Sequence, residues 1–139
     1  MAYTISQFSM EHYDDVYSLW EQCEGVGLSD SDSRENLNAF LLRNPGMSFI
    51  ARYKGEILGA ILSGHDGRRG YVYHLAVRKD FRHQGLGRQL VEKCLIALKS
   101  AGIKKCHILI FNNNVDGIDF WNAVGWKYRS DINAISKDI

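Results

Sequence analysis

The sequence predicts a single α/β (mixed α+β) domain over residues 1–139, and three observations carry that prediction. Apolar stretches at 47–53, 56–63 and 70–77 are separated only by short turns at Lys54-Gly55 and Asp66-Gly67, which is the pattern of an antiparallel meander. The third stretch runs through Gly85 and Gly87 into Leu86, Leu90, Val91, Cys94, Leu95 and Leu98 at helical spacing, so a strand hands over to an amphipathic helix. Beyond Gly102, Cys106 to Phe111 again alternates like a strand, as a crossover requires.

The remaining elements follow in order. Thr4 to Phe8 reads as a first strand, and Ser9 as the N-cap of a helix presenting Tyr13, Val16, Tyr17, Trp20 and Cys23 along one side. After a loop through Gly25, Gly27 and Ser29, a second helix starts at Asp32 or Ser33, with Glu35 favourable in its first turn and Leu37, Phe40 and Leu41 facing inward. It stops before Pro45-Gly46. Asn112-Asn113-Asn114 breaks the strand after the long helix, a short helix covers 115–123, and Gly125-Trp126 leads into a last strand near 126–135. The expected order is β-α-α-β-β-β-α-β-α-β.

Composition narrows the function classes. With 45% hydrophobic and 24% charged residues the chain is an ordinary globular sequence, and no apolar run approaches the roughly 20 residues that span a bilayer. Met1-Ala2-Tyr3-Thr4-Ile5-Ser6 lacks the basic and apolar regions of a signal peptide, so the expectation is a cytoplasmic protein without a membrane partner. A formal net charge of +1 gives no footprint for nucleic acid. Cys23, Cys94 and Cys106 are odd in number and sit among apolar neighbours, as reduced core thiols do. His12, His65 and His107 show no ligand spacing, so no metal is expected. Charge is uneven locally: residues 21–35 are acidic, with Glu21, Glu24, Asp30, Asp32 and Glu35 against Arg34, whereas 78–88 are basic. The acidic run reads either as a solvated face or as a field that steers a cationic substrate.

The segment Arg82-His83-Gln84-Gly85-Leu86-Gly87-Arg88 has the chemistry of a phosphate cradle. Glycine allows backbone N–H groups to approach an anion, the following helix aims its positive end at the same place, and Arg78, Lys79, Arg82 and Arg88 add charge. The motif, with Leu75-Ala76-Val77 before it and Asn114 through Phe120-Trp121 to Gly125-Trp126 after it, resembles the GNAT superfamily of acetyl-coenzyme A dependent N-acetyltransferases over nearly the whole chain. Gly64-His65-Asp66-Gly67-Arg68-Arg69-Gly70 is further similar to a bacterial subgroup near the ribosomal-protein N-terminal alanine acetyltransferases.

That resemblance implies the GNAT fold, a meander followed by β-α-β-α-β around a splayed central sheet, and direct transfer of acetyl from acetyl-coenzyme A to a primary amine on a small molecule or a protein N-terminus. It implies that Leu75, Ala76 and Val77 line the pantetheine arm, and that the Val77 N–H polarises the thioester carbonyl. Backbone N–H groups of His83, Gln84, Gly85, Leu86, Gly87 and Arg88 would hold the pyrophosphate beside Arg82, with Asn114 and Phe120 on the other side of the arm. A homodimer is one arrangement that the resemblance allows.

Two departures bear on catalysis. The family's usual tyrosine acid is replaced by Trp121, whose indole donates a hydrogen bond but gives up no proton, and the glutamate of some relatives is replaced by Leu109. Period-two alternation on 70–77 puts Tyr71, Tyr73, Leu75 and Val77 on one face and Val72, His74 and Ala76 on the other. The candidates for carrying the amine's proton to water are therefore Tyr73, then Tyr71, as hydroxyl stations of a relay, with Tyr128 an outside candidate. His74 is read as packing, Trp20, Phe40, Phe49 and Phe120 as core rather than a ligand box, and Trp126 likewise as packing. The alternatives are a catalytically weak coenzyme sensor or assembly module, and a nucleotide-binding protein. Absence of G-x-x-x-x-G-K-[ST] and G-x-G-x-x-G counts against the last.

Overall fold

The regular elements appear in the predicted order as far as residue 123 in the computed structural model, which describes residues 3–139. Met1 and Ala2, part of the stretch read for a signal peptide, lie outside the described residues. The chain divides into two compact units, residues 1–109 and 110–139.

In the first unit β1 (Thr4–Gln7), β2 (Phe49–Tyr53), β3 (Glu56–His65), β4 (Gly70–Val77) and β5 (Cys106–Ile108) form one sheet in sequence order. All neighbours are antiparallel except β4 and β5, which are parallel and joined by the long helix α3 (Leu86–Ser100). The meander expected from the turns at Lys54-Gly55 and Asp66-Gly67 is present.

Two helices cover one face of this sheet. Helix α1 (Tyr13–Gln22) and helix α2 (Arg34–Arg43) put Val16, Leu19, Trp20 and Leu37 into a cluster with Ile50, Ala60, Leu62 and Ala76. Ser33 caps α2 by accepting from the Asn36 N–H at 3.2 Å, so the helix starts just after it. The other face belongs to α3, which buries Leu86, Leu90, Val91, Cys94 and Leu98, the leucines and the valine each worth roughly 1.5–3 kcal/mol. Gly59 seats that helix closely: a Cβ there would lie 3.1 Å from Leu90 Cδ1 and 3.2 Å from the Ala76 carbonyl oxygen.

Strand β4 departs from strict alternation. Ala60 pairs with Ala76 but Leu62 pairs with Tyr73, so His74 and Leu75 together oppose Ile61, and His74 takes φ +51°. This bulge overturns the two faces read from period two. Tyr73 packs on Phe40 of α2 and His74 on Trp20 of α1, so both face the same pair of helices, whereas Val77 pairs with Gly59 on the α3 side.

The bulge also marks where the sheet opens. Strand β5 pairs only with Gly70, Tyr71 and Val72, leaving residues 73–77 with β3 alone among the described residues. β5 is shorter than the expected 106–111, and it stops at Ile108.

The second unit contains α4 (Val115–Ala123), capped by the Asn114 side chain, which accepts from the Gly117 N–H at 3.0 Å. The last strand expected near 126–135 is not formed: residues 127–139 carry no helix or strand. Asp131 and Asn133 are poor strand formers, and the Arg129 guanidinium grips the Asp131 carboxylate locally, Nε and Nη2 each donating at 2.9 Å.

Candidate active site

Between β4 and α3 the backbone is set up to hold an anion. A short turn at Lys79–Phe81 is followed by His83 at φ +63° and Gly85 at φ +83°, two left-handed residues flanking Gln84. A side chain in that conformation costs roughly 1–2 kcal/mol, which is why glycine stands at 85. Arg82 N–H bonds back to Lys79 and Gln89 N–H to Gly85, but none of the six N–H groups from His83 to Arg88 has an acceptor among the described residues. No side chain caps α3, and no acidic residue lies in its first turn. Donors without acceptors at an uncapped helix start suit a pyrophosphate. Gly87 lies inside α3 rather than in the turn, so the tight bend falls on Gly85 alone.

The basic side chains expected around this cradle divide into two groups. Arg78 is engaged by Glu56 at 2.8 Å and Asp80 at 2.9 Å, and Arg82 Nε donates to the Val77 carbonyl at 2.9 Å while its Nη2 reaches Cys23 Sγ at 3.7 Å. Lys79 and Arg88 are exposed beside the cradle.

Val77 presents its backbone to the open side of β4. The Arg78 N–H bonds to the Leu58 carbonyl at 2.8 Å, and hydrogen-bonded pairs alternate along an antiparallel ladder. Val77 opposite Gly59 is therefore a non-bonded pair, and its N–H points away from β3. Leu75 lies in the bulge and Ala76 is buried in the α1 cluster.

On the helix-covered face, Tyr71 stacks on Tyr73 with ring centroids 6.3 Å apart, Phe40 meets Tyr73 edge-on at 5.9 Å, and Tyr71 leans on His107 at 5.7 Å. Burial, reinforced by Tyr71 and Cys106, pushes the Tyr73 hydroxyl above its usual value. It stays protonated at neutral pH, fit to relay a proton but not to be a base itself.

Beside these rings is a pair that local sequence did not reveal. His74 Nε2 lies 2.7 Å from Asp32 Oδ1, with the Asp32 side chain only 5% exposed. Asp32 does not cap α2. Its Oδ2 accepts from the Ser29 N–H at 3.0 Å and its carbonyl accepts from the Tyr13 hydroxyl at 2.5 Å. Burial pushes the Tyr13 hydroxyl up.

In the second unit, Trp121 is buried, 5.2 Å from Phe120 and 4.6 Å from Trp126 by ring centroid, both edge-on, so it is a packing residue of α4. Tyr128 and, in the first unit, Leu109 are exposed. A cavity lined by Leu95, Leu98, Lys99, Ile103 and Cys106 lies at the C-terminal end of α3, away from the cradle at its start. No helix among the described residues is long and apolar enough to cross a membrane, and no group of three or more His, Cys, Asp or Glu among them could hold a metal ion.

Comparison with known proteins bears on the family and the fold. The Acetyltransferase (GNAT) family matches residues 13–126. An acetyltransferase of Pectobacterium atrosepticum is 30% identical over 107 residues, 77% of this chain and 75% of its own. Among solved structures, AAC(6')-Iy in complex with a bisubstrate analogue, CoA-S-monomethyl-acetylneamine, superposes with a TM-score of 0.79 at 18% identity, covering 100% of both chains. PaiA N-acetyltransferase from Thermoplasma acidophilum, in complex with coenzyme A, gives 0.79 at 18% identity over 93% of this chain and 92% of its own. The chain belongs to the GNAT acetyltransferase family. It is an acetyl-coenzyme A dependent N-acetyltransferase with the mixed α/β fold of that family, and nothing favours the sensor alternative.

Proposed function

We propose that this single-domain, cytoplasmic enzyme acetylates a cationic primary amine that approaches β4 on the face covered by α1 and α2. The observation that carries this reading is the row of N–H groups from His83 to Arg88 that have no acceptor among the described residues, directly after the open stretch of β4. Those groups hold the pyrophosphate of acetyl-coenzyme A, with Arg82 tying the end of β4 to the turn. The pantetheine arm runs along Leu75, Ala76 and Val77, and the Val77 N–H polarises the thioester carbonyl. Asn114 and Phe120 are assigned to the coenzyme side, and Trp121 to the position of the family's tyrosine acid, by the family resemblance alone, and a homodimer is consistent with it.

The acceptor meets Tyr71, Tyr73 and Phe40, flat aromatic surfaces suited to a cation, and the exposed Asp30 and Glu35 draw it in. Such an amine reaches the site as an ammonium: a lysine-like group has a pKa near 10.4 and an α-amine about 7.7–8.0. One proton must therefore be removed before attack. The departing thiolate, the anion of a thiol with pKa about 8.5, is a tolerable leaving group that water or the amine's second proton can neutralise, so Trp121 need supply none.

The test is release of free coenzyme A from acetyl-coenzyme A mixed with polyamines, amino acids, aminoglycosides and N-terminal peptides in turn. Amine-dependent release with a cationic small molecule or an N-terminal peptide is the expected result. Binding of acetyl-coenzyme A without release for any amine would refute the acceptor assignment.

A further inference from the structure

We propose that His74, oriented by Asp32, is the base that takes the proton from the incoming amine. This rests on the thioester lying beside Val77, and it goes beyond that reading by assigning the proton to a side chain. A carboxylate only accepts hydrogen bonds, so the 2.7 Å contact with Asp32 Oδ1 puts a hydrogen on His74 Nε2. In the neutral ring Nδ1 then carries the lone pair, and no described group hydrogen-bonds it. Asp32 is itself fixed by the Ser29 N–H and by Tyr13, so the imidazole is held from behind by a buried, immobile partner.

The surroundings fit a base more closely than a plain packing residue. His74 is 17% exposed by side chain, so a substrate can reach it, whereas Asp32 is closed off. The bulge turns it to the same face as Tyr73, three residues from Val77, on the length of β4 that has no β5 neighbour. The Trp20 ring stands 5.0 Å from the imidazole by centroid, and its Nε1–H is buried with no acceptor among the described residues. Charged and titratable neighbours are Asp32 from the 30–32 turn, Tyr13 from α1 with the Arg34 guanidinium of α2 4.7 Å over its ring, and Tyr73 from β4.

In this step the ammonium form of the acceptor gives one proton to Nδ1 and becomes a neutral amine. Its lone pair forms the C–N bond to the acetyl carbon, and collapse of the adduct breaks the C–S bond with the electron pair leaving on sulfur. The second N–H proton passes to that thiolate directly or through water, and Nδ1 returns its proton to solvent.

The variant His74→Gly tests this, because glycine accepts φ +51° without strain and leaves a hole the size of the lost ring. Its kcat/KM for the amine is expected to fall roughly 10²- to 10⁴-fold, with acetyl-coenzyme A binding by calorimetry unchanged. Added imidazole should restore turnover, and across substituted imidazoles the restored rate should rise with base strength. A smaller loss than about tenfold, or rescue independent of base strength, overturns the proposal and leaves the pair as a strap between the 29–33 segment and β4. Should His74→Gly fail to fold, Asp32→Asn is expected to lower kcat while leaving KM for acetyl-coenzyme A in place; wild-type kcat would overturn the proposal equally. If the wild-type protein binds no acetyl-coenzyme A, it is the underlying coenzyme assignment that fails instead.

Discussion

The cradle at 83–88 and the pocket around His74 flank the same strand but are built by opposite means. The cradle is main chain: consecutive N–H groups with no acceptor among the described residues, shaped by one left-handed glycine. The pocket is side chain: an aspartate and a histidine separated by 42 residues in sequence, joined at 2.7 Å against a buried tryptophan. Main-chain donors are the same whatever the side chains, so the cradle suits a coenzyme common to a family. Side chains drawn from α1, β4 and the 30–32 turn change chemistry with every substitution, so they suit the acceptor proposed for that face.

That contrast can be broken most sharply at Gly85. Gly85→Val should weaken acetyl-coenzyme A binding roughly 10²-fold, through loss of two or more charge-assisted hydrogen bonds. Its cost to folding should be only about 1–2 kcal/mol from the left-handed backbone; calorimetry and chemical unfolding compare the two, and equal losses would make the turn a folding element. Arg82→Met removes the guanidinium that clamps the Val77 carbonyl. We expect about a tenfold fall in kcat, in line with one charged hydrogen bond of about 1.5–3 kcal/mol, and a smaller change in coenzyme affinity, both read by steady-state kinetics.

A third measurement concerns the core beneath both sites. Burial pushes the Cys94 thiol up to about 12 from 9.0, so the folded state favours the protonated form. The stability this supplies is fully present below pH 9 and lost as pH rises toward 12. Melting temperature should therefore fall as pH climbs above 9, and less steeply in Cys94→Ala. The smallest effect is reserved for the acidic approach to the pocket. Asp30→Asn should lower kcat/KM for a cationic amine about two- to threefold at low ionic strength and leave it unchanged at about 1 M salt, where the Debye length is about 3 Å.

The cradle was readable from sequence because it is contiguous: an apolar strand, a glycine and an amphipathic helix stand next to one another, and their spacing alone dictates the turn. The meander was readable for the same reason. The pocket was not, since nothing near His74 announces Asp32, and period-two alternation assigned the histidine to the wrong side. A strand pattern assumes one residue per rung; the one signal against that assumption is a left-handed backbone at His74, which side-chain polarity does not encode. The expected strand at 126–135 failed for a different reason: the Gly125-Trp126 turn marks where a strand could begin, but Asp131 and Asn133 do not sustain one.

The extra rung in β4 makes the strand's handed pattern depend on chain length. With Ala76 anchored opposite Ala60, deleting His74 would slide Tyr73, Val72 and Tyr71 forward by one place each. Both phenols would then turn under α3, and the valine that fills that layer would be cast out among the aromatic rings. A single-codon deletion would thus evert half a strand while altering no other letter of the protein.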